Sequence, residues 1–207
     1  MSRPVDYYFS MISPWAYIGH VPFMGIVRRH DVALSYKPVA LVNVFSETGG
    51  LPLPKRHPVR QRYRMFELQR WREKRGLKFN LRPKYGRFDV SVADRFVIAM
   101  TMAGHDPDPY LRLAFAAIWE EEQNLAEDAM LVALAERVGL PGAQLLDAAK
   151  SDAVKAAYER HVREAIAADV VGSPAYVLDG EVFWGQDRLE LLDDALSSGR
   201  KAFRSDL

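Results

Sequence analysis

The chain predicts an α/β fold in which a βαβ unit opens the sequence, a ββα unit closes it, and a large all-helical insertion separates the two. Three observations carry this prediction. Residues 4–39 run through strand, helix and strand patterns in turn. Residues 175–196 hold two short strands about an Asp-Gly turn, followed by a leucine-striped helix. Almost everything from 58 to 168 has helical spacing or the composition of a loop.

The first strand covers 4–9, where Val5, Tyr7 and Phe9 alternate with Asp6 and Tyr8, the period-2, aromatic-rich pattern of a pleated strand. In the run FSMISPWAYIG (9–19), Ser13 is placed to cap a helix over 14–30 with Pro14 as its first residue. Proline suits that position because its missing N–H would have had no intrahelical partner and its fixed φ is already helical. The Ser13 hydroxyl is thereby set at the positive end of a helix, just above the end of a strand. LSYKPV gives a second strand over 34–39, and strand, crossover helix and parallel strand make a right-handed unit.

SETGGLPLPKRHP (46–58), dense in Gly and Pro, is predicted to be loop. A helix over 58–75 follows, with Val59, Tyr63 and Phe66 as a short stripe and Gly76 closing it. SVAD (91–94) reads as a capping-box variant, with Ser91 as cap and Asp94 three residues on, opening a helix that ends near Gly104. Further helices are expected over 108–124, 128–138 with Gly139 beyond it, 141–149 and 152–168. AYVL (175–178) and EVFW (181–184) flank Asp179-Gly180 as a hairpin, and the last helix starts near Asp187 and presents Leu189, Leu192 and Leu196. This is the order of a thioredoxin-like fold: residues 1–42 and 169–207 form its sheet domain, and residues 43–168 a helical insertion domain.

With 49% apolar residues in a 207-residue chain, a sizeable core can be buried. No run is long enough to span a membrane and no secretory leader is visible, so no membrane partner and a cytoplasmic location are expected. The sequence has no cysteine, which excludes disulfide staples and thiolate metal sites. Five histidines without paired spacing make a metal site unexpected. The formal charge of +1 conceals an asymmetry: from Lys55 to Arg87 there are thirteen Lys or Arg against two acids, Glu67 and Glu73. This run reads either as a solvated helical face or as a basic wall that attracts an anionic small molecule. Nucleic acid is not the expected partner, because no recognition fold accompanies the patch.

VDYYFSMISPWAY (5–17) and VGSPAYVLDGEVFWGQDRLELL (171–192) resemble the 2-hydroxychromene-2-carboxylate isomerase family, whose relatives include kappa-class glutathione transferases and, further off, DsbA-like oxidoreductases. In element order the resemblance spans the whole chain, and in the middle it includes LKFNLRPKY (77–85). DsbA-like proteins carry Cys-x-x-Cys at this strand-to-helix junction, where a helix N-terminus stabilises a thiolate. Here the four positions read Ser13, Pro14, Trp15 and Ala16, so disulfide exchange by this chain is chemically excluded.

The resemblance implies glutathione as cofactor, with Ser13 donating a hydrogen bond to its thiolate rather than acting as a nucleophile. It further implies a cis Ser173-Pro174 bond, with the Ser173 backbone pairing with the cysteinyl amide. Gln186 and Asp187 are implied at the γ-glutamyl end, Gln186 toward the carboxylate and Asp187 toward the ammonium. Bland readings stand beside each: Ser13 and Asp187 as plain helix caps, Pro174 as an edge-strand start, Trp15 and Trp184 as core or pocket wall. Relatives carry an asparagine where this chain has Gly50 and, in the isomerases, a lysine near Phe45. Asn43, Lys55 and Arg56 are the available substitutes, Tyr85 matches an active-site tyrosine region, and Lys84 beside it is placed to receive a substrate carboxylate.

The function so implied is isomerisation of a small aromatic or unsaturated α-keto acid, by a homodimer. The alternatives are a kappa-type glutathione transferase, which shares the site, and a catalytically silent thioredoxin-like binding module.

Overall fold

The computed structural model describes residues 3–86 and 88–205; Arg87 of the basic run and the last two residues of the C-terminal FRSDL lie outside them. Four strands, β1 (Pro4–Phe9), β2 (Ala33–Pro38), β3 (Ala175–Leu178) and β4 (Glu181–Trp184), form one sheet in the order β2-β1-β3-β4. β1 and β2 are parallel, pairing Val5 with Leu34 and Phe9 with Pro38, because helix α1 (Pro14–His30) returns the chain across the sheet. β3 is antiparallel to β1, with Tyr7 opposite Tyr176, and β4 is antiparallel to β3. The hairpin turns through Asp179 (φ 51) and Gly180 (φ 85), the paired left-handed conformations that a two-residue turn of matching twist requires.

Both faces of the sheet are covered. On one, Val5, Tyr7, Phe9, Tyr176 and Phe183 share a core with α1 and with the closing helix α9 (Leu189–Ser198). The Phe23 ring of α1 stands 4.9 Å from that of Tyr7 and 4.4 Å from that of Tyr176. On the other face, Tyr8, Ala175 and Val177 pack with Val44 of α2 (Leu41–Thr48) and with Val162 and Ala165 of α8 (Asp152–Ala167). A strand buried on both faces needs no polar side, and this is why Tyr8 is as buried as its neighbours.

Between β2 and β3 the described residues are helical or irregular: α2, then α3 (Pro58–Arg75), α4 (Ser91–Met102), α5 (Asp108–Trp119), α6 (Asp128–Arg137), α7 (Gly142–Lys150) and α8. Phe96 of α4 and Phe115 of α5 belong to the same buried cluster as Tyr7 and Phe9. Among the described residues no helix is long and apolar enough to cross a membrane, and no group of three or more His, Cys, Asp or Glu is placed to hold a metal ion.

Five local expectations are corrected. The predicted loop over 46–58 begins later, because Ser46, Glu47 and Thr48 complete α2, which stops at Gly49 (φ 76). The stripe Val59, Tyr63, Phe66 is exposed; α3 buries Leu68 instead and rests Met65 and Trp71 against the core. Ser91 is the first helical residue of α4 and not its cap; its N–H is taken by the Asp89 carboxylate at 2.9 Å. Lastly, α5 ends at Trp119 rather than 124, and Asp187 lies in a 3₁₀ turn (Gln186–Arg188) ahead of α9.

Candidate functional site

β1 ends at Phe9, and four residues, 10–13, turn the chain into α1. Ser13 has extended backbone (φ −86, ψ 114) and caps the helix, its Oγ accepting from the Ala16 N–H at 3.3 Å, with Pro14 as the first helical residue. The same hydroxyl donates its single proton to the Ser173 carbonyl oxygen at 3.1 Å. In return, the Ser10 N–H donates to Ser173 Oγ at 3.2 Å. The Ser173-Pro174 peptide bond is cis. Two serines far apart in sequence are thus locked against each other, both nearly inaccessible. α1 has no acid in its first turn and carries Arg28, Arg29 and His30 in its last, so nothing on the helix cancels the positive potential at Ser13.

The turn itself is held from below by Asp94, a fully buried residue of α4. Its Oδ1 accepts from the Met11 N–H at 2.8 Å, and its Oδ2 accepts from Ser10 Oγ at 2.9 Å and from the Tyr158 hydroxyl at 2.8 Å. Burial outweighs these three donors and pushes the carboxyl up to about 7. Sequence reading assigned Asp94 to a capping box, because S-x-x-D before an apolar run is a local signal; its true partners lie 64 to 84 positions away. No local pattern announces such a contact.

The third element is the end of β4. Gly185 has φ 104, and its N–H donates to the Pro174 carbonyl at 2.8 Å, which ties the 3₁₀ turn to the cis-proline. Behind that turn, Gly19 of α1 lets the chain approach closely: a Cβ there would stand 2.6 Å from that of Gln186. Gln186 is consequently buried, and its Oε1 accepts from Nη2 of Arg75 at 3.1 Å. With the amide oxygen engaged, its N–H groups are left as the outward donors. Arg75 forms no ion pair among the described residues, its Nε is buried without an acceptor, and its guanidinium lies 5.2 Å from the Trp71 ring. Burial accordingly acts against its charge. Arg75 is a support of the site, gripping Gln186 from behind the cleft, that sequence reading missed, one cation among thirteen.

These elements frame a cleft of about 250 Å³ lined by Trp15, Trp71, Ser173, Trp184, Gln186 and Asp187, together with Glu67 and Arg188. Asp187 is half-exposed, and its Oδ2 accepts from Nη1 of Arg188 at 2.6 Å. Trp15 is a partly buried wall, with the Arg64 guanidinium 6.0 Å from its ring.

Arg64 also lines a second pocket of about 680 Å³, where Lys84 is found, between α3 and the 81–86 loop. Tyr85, partly buried, follows Lys84 on the same loop, under its ammonium at 4.9 Å. Asn43 is exposed on α2, and Gly50 packs against Phe45; neither lines the cleft. The structure therefore places Trp15, Ser173, Gln186 and Asp187 on the cleft, joins Ser13 and Pro174 to its wall through Ser173, sets Lys84 and Tyr85 apart from it, and leaves Asn43 and Gly50 elsewhere.

A helix N-terminus, a cis-proline and a strand-end turn converging on one cleft define a site of the thioredoxin type. The DSBA-like thioredoxin domain matches residues 4–197, and the chain belongs to that family. It is 26% identical to the 2-hydroxychromene-2-carboxylate isomerase of Sphingobium xenophagum, over 95% of this chain and 99% of that one. It is 22% identical to glutathione S-transferase kappa 1 of Rattus norvegicus, over 92% of this chain and 89% of the relative. Among solved structures, a 2-hydroxychromene-2-carboxylate isomerase superposes with a TM-score of 0.81 at 22% identity, over 94% of this chain and 95% of that one. The relatives support an enzyme, with isomerases the nearer kind and kappa transferases more distant.

Proposed function

We propose that the chain is a glutathione-dependent isomerase of an aromatic or otherwise unsaturated α-keto acid, similar in activity to 2-hydroxychromene-2-carboxylate isomerases. The observation that carries this reading is the Ser13 hydroxyl at the N-terminus of α1, hydrogen-bonded to the Ser173 carbonyl in a chain that has no thiol of its own. The cleft fits the cofactor group by group. The Gln186 amide, held in place by Arg75 behind it, suits the γ-glutamyl carboxylate, Asp187 suits its ammonium, and the Ser173 backbone beside cis-Pro174 suits the cysteinyl amide.

Glutathione, when bound, supplies a thiolate that adds reversibly to a conjugated carbon, so that a double bond becomes free to rotate before the thiol leaves again. The chain's part is to favour that thiolate. In the structure the Ser13 proton is given to the Ser173 carbonyl; once that carbonyl accepts from a ligand amide instead, the proton is free to turn to the sulfur. A thiol of ordinary pKa about 8.5 gains close to tenfold in nucleophile for each unit of lowering at neutral pH, and a charge-assisted hydrogen bond plus a helix terminus act in that direction. Trp15 forms the wall on the acceptor side, with Lys84 and Tyr85 beyond it. Asn43 and Gly50 take no part.

The same reading makes the protein a cytoplasmic homodimer. Glutathione in its thiol form belongs to a reducing compartment, and the exposed Val59, Tyr63 and Phe66 of α3 offer an apolar face to a second copy. The kappa relative supports a transferase at the same cleft as a second reading. Product analysis separates them. With a cis-unsaturated aryl α-keto acid and a trace of glutathione, the isomerase converts many equivalents of substrate per glutathione. A conjugate accumulating in step with glutathione consumed contradicts isomerisation.

A further inference from the structure

We infer that the second pocket is the acceptor site and that it selects a ligand with two acid groups on an apolar body, an aromatic dicarboxylate in its simplest form. Naming this ligand as the acceptor rests on the glutathione reading of the cleft; the pocket's preference for two acids does not.

The pocket, about 680 Å³, is large enough for a ligand of two fused rings, and the Arg64 guanidinium that lines it stands 6.0 Å from the ring of Trp15, which lines the cleft. Its cations come in two pairs from two walls: Arg62 and Arg64 from α3, Arg82 and Lys84 from the 81–86 loop. None of the described lining residues is acidic. Glu122 is the carboxylate that bears on Lys84, and Lys84 is otherwise engaged with Tyr85. One carboxylate would answer only one wall, whereas two acid groups answer both, each with a guanidinium whose planar fork matches an oxyacid.

The pocket also has an apolar part, formed by Leu53, Met65, Leu81 and Trp119. Trp119 is the most deeply set of these four. It is 4% exposed, and its indole N–H is buried without an acceptor among the described residues. The excess of positive charge from Lys55 onward then acquires a second role, in drawing anions toward the pocket mouth.

The test is calorimetric titration of the intact protein, with and without glutathione, using phthalate (two carboxylates on a benzene ring) and benzoate (one) at low ionic strength. The inference expects phthalate to bind about tenfold or more tightly than benzoate. An Arg62→Gln/Arg82→Gln double variant is expected to bind phthalate no better than benzoate while keeping its glutathione affinity. Equal binding of the two acids, failure of both to bind, or undiminished phthalate binding by the double variant would overturn it. Phthalate selectivity in a protein that does not bind glutathione would leave the dicarboxylate site standing and remove its role as acceptor site.

Discussion

The two pockets linked by the Arg64–Trp15 contact are built on opposite plans. The cleft at Ser13 is made of backbone and buried polar groups. Ser13 and Ser173 hold each other, Gln186 is gripped by Arg75, and the supporting turn hangs on Asp94. The pocket at Lys84 is made of long cationic side chains, three of them, Arg62, Arg82 and Lys84, largely in solvent. The difference teaches how such a site divides its work. The part that must present a sulfur at one point is fixed in advance, where each hydrogen bond is short of water and therefore strong. The part that must admit an anion is adaptable and acts at longer range.

The comparison breaks most visibly at Asp94. Because its folded pKa of about 7 lies above the ordinary carboxylate value of 3.8, the folded state holds the proton more tightly than the unfolded state. That contribution to stability is complete below about pH 4 and is lost as the pH rises through about 7. Relative to Asp94→Asn, which does not titrate, the wild type should lose on the order of 4 kcal/mol between pH 4 and pH 8.5. Urea unfolding of both proteins across that range measures the gap, and a gap that stays flat would show that Asp94 titrates normally.

Next in size is Ser13→Ala. Losing a hydrogen bond to a charged group removes about 1.5–3 kcal/mol, so turnover should fall by roughly ten- to a hundredfold. The rising limb of the pH–rate profile should also move upward as the thiolate loses its donor. The fold survives, at a cost of about 1 kcal/mol for the lost cap. Unchanged turnover would take Ser13 out of the chemistry. Arg75→Leu sharpens the same side of the comparison: glutathione should bind about tenfold more weakly, while a cysteinylglycine dipeptide, which lacks the γ-glutamyl end, should bind as before. Equal losses for both ligands would mean that Arg75 acts only through packing on Trp71. On the other side, Arg62→Gln or Arg82→Gln alone should alter stability by no more than about 0.5 kcal/mol in thermal melts, as expected of exposed charges.

The terminal pieces were the legible part of the sequence. Ser13-Pro14 marks its helix start by a cap and a proline, and Asp179-Gly180 marks its turn by a conformation few residues adopt, so each announces itself locally. The errors fall where tertiary contact decides. α2 starts at Leu41 behind Ala40, which offers no side-chain cap, and its end runs into a Gly- and Pro-rich stretch that masked it. On α3 the apolar stripe faces solvent, because an arginine-rich helix can rest on the stems of its polar residues beside a single buried leucine. Asp94 and Arg75, the two residues that brace the cleft, look like a cap and a surface charge until the fold brings their distant partners to them.

The central claim is that the cleft at Ser13 holds glutathione by both of its ends. Titration of glutathione into the wild type and Asp187→Ala, followed by calorimetry, tests it most directly. The account predicts saturable one-site binding to the wild type, weakened about tenfold by the substitution as the ammonium loses its carboxylate. Absence of binding to the wild type, or equal affinity in the two proteins, would contradict it.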